Sequence, residues 1–212
     1  MGRIVKHNSR AWHFLPIAIS ILWVAFSWFL WLGDKSISNE NRFMENSQVV
    51  FLALAFAFHW KQRLETAHPP IRACHSVLAM LCFSVMVREI DIDKIGGTRM
   101  WHIIENAIRF CVVSAWLSLA PDIARNFSKL WATRFGIFFS PNSLMTAVAV
   151  AFYLASWFFD NHIVPIDRKT SQFIEESLQL SGTAFFFAAS LKPIRYDTIG
   201  SKKADHVETI GN

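Results

Sequence analysis

The chain has 212 residues, of which 53% are hydrophobic and only 17% charged. This composition is too apolar for the surface of an ordinary soluble domain and predicts an integral membrane protein. The net charge of +5 does not indicate nucleic-acid binding, because the Lys and Arg residues lie in short connections between apolar runs rather than along one basic stripe. The 20 Phe and 9 Trp residues fit a lipid-facing surface with aromatic belts.

Six apolar runs predict an all-α, polytopic transmembrane helical bundle. The first run has no charged residue over 19 positions, which is long enough to cross a hydrocarbon layer of about 30 Å. We expect a transmembrane domain over residues 14–191, with a cytoplasmic N-terminal segment over 1–13 and a polar cytoplasmic tail over 192–212. The expected helices cover residues 14–32, 43–60, 73–87, 103–120, 143–159 and 173–191.

The positive charges predict the orientation of this bundle. More Lys and Arg residues lie at the N-terminus, in the second and fourth connections and in the C-terminal tail than in the other three connections. Because cytoplasmic loops retain positive charge, both termini are expected in the cytoplasm. The corresponding localisation is a bacterial inner membrane.

A short motif recurs at the start of the second, fourth and sixth predicted helices. Two apolar residues precede a glutamate, and an asparagine or a second glutamate follows: Glu45-Asn46, Glu105-Asn106 and Glu175-Glu176. Three or four residues after the first glutamate, the same helical face carries an amide or a cation: Gln48, Arg109 and Gln179. The repetition is typical of three helical hairpins arranged in parallel, as found among transporters.

Helix capping explains the same motif without any function. A carboxylate in the first turn of a helix complements the dipole and stabilises the helix by about 0.3–1 kcal/mol. Capping does not explain the acidic residues at the end of the third helix, where negative charge opposes the dipole. It also does not explain why Arg109 lies about two turns inside the fourth helix, where an unpaired cation is costly. The sequence is compatible with both interpretations.

The functional interpretation is one polar cluster on the outer side of the membrane. Its predicted members are Glu45, Asn46, Gln48, Arg88, Glu89, Asp91, Asp93, His102, Glu105, Asn106, Arg109, Glu175, Glu176 and Gln179. Ionisable residues inside a membrane indicate a functional site. A cluster of this kind is expected to bind a cation, a proton, a substrate or a lipid headgroup.

A divalent metal is one candidate ligand of this cluster. His102, His162 and Asp91 are the candidate ligands, since zinc is bound by imidazole nitrogen and carboxylate oxygen. No diagnostic spacing such as H-E-x-x-H supports a metal, and the sequence requires no cofactor. The histidines at or near the opposite helix ends, beside basic loops, are interpreted as interfacial residues: His59, His68 and His75.

Three functions are compatible with the sequence, and no catalytic residue is identified. The first is a small transporter or an ion-, proton- or substrate-binding membrane component. The second is an intramembrane enzyme that acts on a lipid or lipid-linked substrate at the outer leaflet, with carboxylates as acid and base. The third is an assembly subunit of a membrane complex. Expected partners are membrane lipids and a membrane protein or a second copy of the chain, but no nucleic acid.

Overall fold

The computed structural model describes residues 11–38, 43–90, 99–161, 163, 165–192 and 194. These residues form seven α-helices and a short 3-10 helix over Lys35–Ser38. The α-helices are α1 (Ala11–Gly33), α2 (Phe43–Glu65), α3 (Pro69–Glu89), α4 (Arg99–Ala132), α5 (Arg134–Phe138), α6 (Pro141–Asp160) and α7 (Arg168–Ser190). The described part of the chain has no β-strand, which confirms the prediction of an all-α helical bundle.

Three helices, α3, α4 and α6, are long and apolar enough to cross a membrane. They support the interpretation as an integral membrane protein. A shorter apolar stretch over Ile17–Gly33 lies in α1. Helices α2 and α7 are less apolar because they carry buried polar side chains, among them Gln48 and His59 in α2 and Gln179 in α7. The count of six spans and the hairpin repeat therefore stay predictions.

Two helices begin or end away from the expected positions because of proline. Helix α3 begins at Pro69 rather than at residue 73, since proline is tolerated in the first turn, where the N–H group has no partner within the helix. Helix α4 continues through Pro121 and ends at Ala132 rather than at residue 120. A proline inside a helix removes one hydrogen bond but does not have to end the helix.

Helix α7 lies at the centre of the bundle and contacts α1, α2 and α6. A core cluster joins α2, α3, α6 and α7 through Leu52, Ala55, Cys82, Ala149 and Phe186. Helix α4 lies at the edge, where it packs on α3, and Leu119 is the one buried residue along its length. The fold is thus built around α7, with α4 as a peripheral helix.

Helices α6 and α7 approach each other closely at Gly182. A Cβ atom at this position would lie 2.8 Å from Cδ2 of Tyr153 and 3.0 Å from the carbonyl oxygen of Ala149. Glycine is needed here because a larger residue would displace the neighbouring helix.

A buried asparagine ties the start of α6 to the end of α7. The fully buried Asn142 donates hydrogen bonds from Nδ2 to the carbonyl oxygens of Ala189, at 2.7 Å, and Lys192, at 3.1 Å. The carbonyl oxygen of Ala189 also accepts a 2.9 Å hydrogen bond from the backbone N–H of Lys192, so Asn142 adds a second, inter-helix donor at the end of α7.

Candidate functional site

A polar pocket of about 350 Å³ lies at the end of the bundle where α2 and α7 begin and α3 and α6 end. We call it the polar pocket. Its lining consists of Glu45, Arg88, Glu89, Arg109, Asp160, Arg168, Gln172, Glu175, Glu176 and Gln179. Five helices contribute to it, which fits helices that alternate in direction along the bundle.

Half of the predicted cluster lines this pocket: Glu45, Arg88, Glu89, Arg109, Glu175, Glu176 and Gln179. Gln48 is fully buried and bonded to Glu176. Asn46, His102 and Asn106 have exposed side chains and do not line the pocket. Asp91, Asp93 and His162 lie outside the described residues.

Gln48 and Glu176 form the most deeply buried polar contact of the site. Nε2 of Gln48 donates a hydrogen bond of 2.7 Å to Oε2 of Glu176 and approaches the carbonyl oxygen of Glu176 at 3.5 Å. Gln48 is 0% exposed and Glu176 is 7% exposed. Because one residue is in α2 and the other in α7, the contact joins two helices beneath the pocket.

Three further glutamates surround Glu176. The carboxylates of Glu45, Glu89 and Glu175 all act electrostatically on it, and Glu45 and Glu89 are themselves buried. Oε1 of Glu175 accepts a hydrogen bond of 3.1 Å from Nε2 of Gln179, one turn later in α7. Several carboxylates in one partly buried space repel one another, so an arrangement of this kind depends on cations, protons or both.

Helix capping explains Glu45, the third residue of α2, but it is wrong for the other two copies of the motif. Glu105 is the seventh residue of α4 and Glu175 the eighth residue of α7, because both helices begin earlier than expected. The N-cap of α7 is Asp167, whose side chain accepts a 3.0 Å hydrogen bond from the backbone N–H of Thr170. Hydrogen bonds from Thr170 lower the pKa of the Asp167 carboxyl group, as expected for a cap.

Arg109 is paired within its own helix. Its guanidinium group forms an ion pair with the carboxylate of Glu105, four residues earlier in α4. The side chain of Glu105 is 14% exposed and that of Arg109 is 68% exposed. The cation at this depth is therefore neutralised locally and reaches the edge of the pocket from a peripheral helix.

Arg168 and Gln172 line the pocket from the first turns of α7, although neither was predicted as a site residue. They were not considered because the sixth helix was expected to begin at residue 173. A helix from residue 168 would have placed Gln172, Glu176 and Gln179 on one face at spacings of four and seven. Tyr153 was also missed, although its buried hydroxyl group lies within electrostatic reach of Glu89 and Arg88.

The interpretation of His59 and His75 as interfacial residues is wrong. Both side chains are buried, at 1% and 2% exposure, and their Nδ1 atoms are 3.3 Å apart. Each histidine lies about two turns inside its helix, so the packing of α2 on α3 brings the two rings together in the bundle. His68, which precedes α3, is exposed.

Of the three candidate metal ligands of the polar cluster, one lies in the described part of the chain. His102 is exposed, and Asp91 and His162 lie outside the described residues. Among the residues that the structure describes, no group of three or more His, Cys, Asp or Glu side chains is placed to hold a metal ion.

No protein family, curated protein or solved structure matches the chain. Its class is therefore defined by the fold and the site themselves. The part of the chain that the structure describes is all-α, with three helices long and apolar enough to span a membrane and a polar pocket at one end of the bundle.

Proposed function

We propose that this chain is a small membrane transport component that binds a cation, or protons, in the polar pocket. The observation that carries the proposal is the contact between Gln48 and Glu176, which holds a carboxyl group in the bundle interior with three other glutamates around it. Buried ionisable groups are costly in a membrane protein and mark ion and substrate pathways.

The balance of charge in the pocket favours a positively charged ligand. Five acidic residues line it against three arginines. One of these arginines, Arg109, is already paired with Glu105, which lies outside the lining. The remaining surplus of carboxylates is best compensated by a bound cation or by protonation.

The apolar core beneath the pocket supports access from one side of the membrane. Between the polar pocket and the opposite end of the bundle lies the core cluster of α2, α3, α6 and α7, which includes Leu52 and Phe186. A binding site open on one side and closed by packed side chains on the other is the arrangement that alternating access requires.

We further propose that the pocket faces the outside of a bacterial inner membrane and that both termini are cytoplasmic. The end of the bundle opposite the pocket carries basic side chains, among them Lys61, Arg63 and Arg72 at the turn between α2 and α3. Cytoplasmic loops are enriched in such residues.

The proposal is tested by transport in proteoliposomes. The purified full chain is reconstituted, and fluxes of protons, radiolabelled sodium, rubidium and methylammonium are measured under an imposed membrane potential. We expect flux of at least one of these ions above that of empty liposomes, and a loss of at least about tenfold in Glu176→Gln. The matched control is Glu65→Gln, since Glu65 is an exposed glutamate at the opposite end of the bundle, where it pairs with Lys61 at 3.8 Å.

Two results would contradict the proposal. One is wild-type flux no higher than that of empty liposomes for all four ions. The other is equal flux in the wild type and Glu176→Gln, with both proteins folded by circular dichroism.

A further inference from the structure

We infer that His59 and His75 bind a transition-metal ion of the zinc type inside the half of the bundle opposite the polar pocket. The site lies in the α2–α3 hairpin and shares no residue with the polar pocket. The inference therefore stands apart from the proposed transport function and can fail or succeed without it.

The first argument is the geometry of the two rings. Their Nδ1 atoms are 3.3 Å apart, their centroids are 5.5 Å apart and their planes are inclined by 37°. The separation is also within reach of a hydrogen bond from one ring N–H to the other ring nitrogen, which the NMR measurement below distinguishes. Two nitrogen atoms bonded at about 2.0–2.1 Å to one tetrahedral metal ion lie roughly 3.3–3.4 Å apart. The observed distance thus matches two ligands of a shared ion.

The second argument is burial. Both imidazoles are almost completely withdrawn from solvent, and each directs Nδ1 at the other. Neutral imidazole is the commonest nitrogen ligand of zinc, copper, iron and nickel in proteins. A pair of neutral ligands can be buried at low cost, because neither carries a charge before the ion binds.

The third argument is access to the pair. His75 lines a cavity of about 300 Å³ at the end of the bundle opposite the polar pocket. The same cavity is lined by the oxygen-bearing side chains of Gln62, Glu65 and Thr66. This cavity supplies a path by which the ion reaches His75 and room for water ligands at the remaining coordination positions.

The type of site follows from the number of protein ligands. Since no third His, Cys, Asp or Glu side chain joins the pair among the described residues, the protein supplies two ligands and leaves the remaining positions to water or other exchangeable ligands. Structural zinc sites are closed by four protein ligands, whereas open sites exchange ligands. We therefore assign an exchangeable site rather than one that holds the fold together.

Metal binding is measured on the purified full chain in detergent after treatment with a chelator. Zn²⁺ is titrated by calorimetry, and Co²⁺ serves as a spectroscopic probe of coordination geometry. We expect one Zn²⁺ per chain and a visible Co²⁺ absorption typical of tetrahedral coordination. In His59→Asn and in His75→Asn, the affinity should fall by at least about tenfold. The matched control is His68→Asn, which replaces an exposed histidine just before α3 and should bind Zn²⁺ like the wild type.

A second measurement uses the wild type alone, so that it gives a result even if the histidine variants do not fold. Electron paramagnetic resonance of the wild type loaded with Cu²⁺ should show coupling to imidazole nitrogen. Equal Zn²⁺ binding in the wild type and the double variant His59→Asn/His75→Asn, or a Cu²⁺ spectrum without nitrogen coupling, would overturn the inference. The inference would also be overturned if nitrogen NMR in excess Zn²⁺ still showed an N–H···N hydrogen bond between the two rings. Glu176→Gln should bind Zn²⁺ normally, which separates this site from the polar pocket.

Discussion

The Nε2 atom of Gln48 lies 2.7 Å from the Oε2 atom of Glu176, and this hydrogen bond joins two helices whose residues are 128 positions apart in the chain. The amide is fully buried, and the carboxyl group faces a pocket shared by five helices. One contact therefore links the stability of the α2–α7 packing to the chemistry of the polar pocket.

Gln48→Leu should destabilise the fold. Leucine fills a similar volume but cannot donate to Glu176, which leaves a buried carboxyl oxygen without this partner. The expected cost is about 1–3 kcal/mol in the free energy of unfolding, measured by denaturant titration in detergent. Asn106→Leu, at an exposed amide outside the pocket, should change the same free energy by less than about 0.5 kcal/mol. Equal effects in the two variants would argue against the contact.

Gly182→Ala should destabilise the packing of α6 on α7. The added methyl group would lie 2.8 Å from the ring of Tyr153 and 3.0 Å from the backbone oxygen of Ala149, so one helix must shift. Overpacking of this kind costs about 1–3 kcal/mol and should appear as a lower melting temperature. In Gly33→Ala, which has no heavy atom within 4 Å of the new methyl group, the melting temperature should stay the same or rise. A stable Gly182→Ala variant would contradict the close approach.

Asn142→Ala should weaken the link between α6 and the end of α7. The carbonyl groups of Ala189 and Lys192 would lose a donor that is fully buried with them. We expect a loss of about 1–3 kcal/mol in the free energy of unfolding. Asn161→Ala is the control, because Asn161 donates to Trp157 on the surface and its removal should have little effect. The measurement is denaturant unfolding followed by tryptophan fluorescence.

The Asp167 cap should contribute a pH-dependent stability. Hydrogen bonds from Thr170 hold the folded-state pKa of this carboxyl group below its ordinary value of about 3.9. The carboxylate therefore stabilises the folded state above that pH, and this stabilisation is lost as the pH falls through the folded-state pKa. Asn is also a good N-cap but has no titratable group. The melting temperature of the wild type relative to Asp167→Asn should thus be constant above about pH 5 and fall below it. A difference that stays constant down to pH 3 would rule out this role.

Local patterns were sufficient to predict the helices, because each helix depends on apolar residues and breakers that are close together in the chain. The bounds were less accurate where proline was involved. Pro69 opens α3 four residues before its expected start, and Pro121 lies inside α4, which was expected to end at residue 120. Proline excludes a hydrogen bond at one position, but it does not determine on which side of that position a helix lies.

The polar pocket was predicted only in part. Glu45, Glu89 and Glu176 were expected to meet, and the structure places them around one pocket. His102 was expected there as well, but its side chain is exposed on the peripheral helix α4. Spacing along one helix shows which residues share a face, but it does not show toward which neighbour that face is turned.

The sequence by itself determined that the chain is apolar, helical and asymmetric in charge, because these properties depend on composition and on spacing within single segments. Only the tertiary structure decided that Gln48 meets Glu176, that α7 lies at the centre and that His59 and His75 are buried together. The reason is that side chains are distributed around the helix axis. Successive residues are about 100° apart around the axis, so a small rotation of one helix against its neighbour changes which residues face each other.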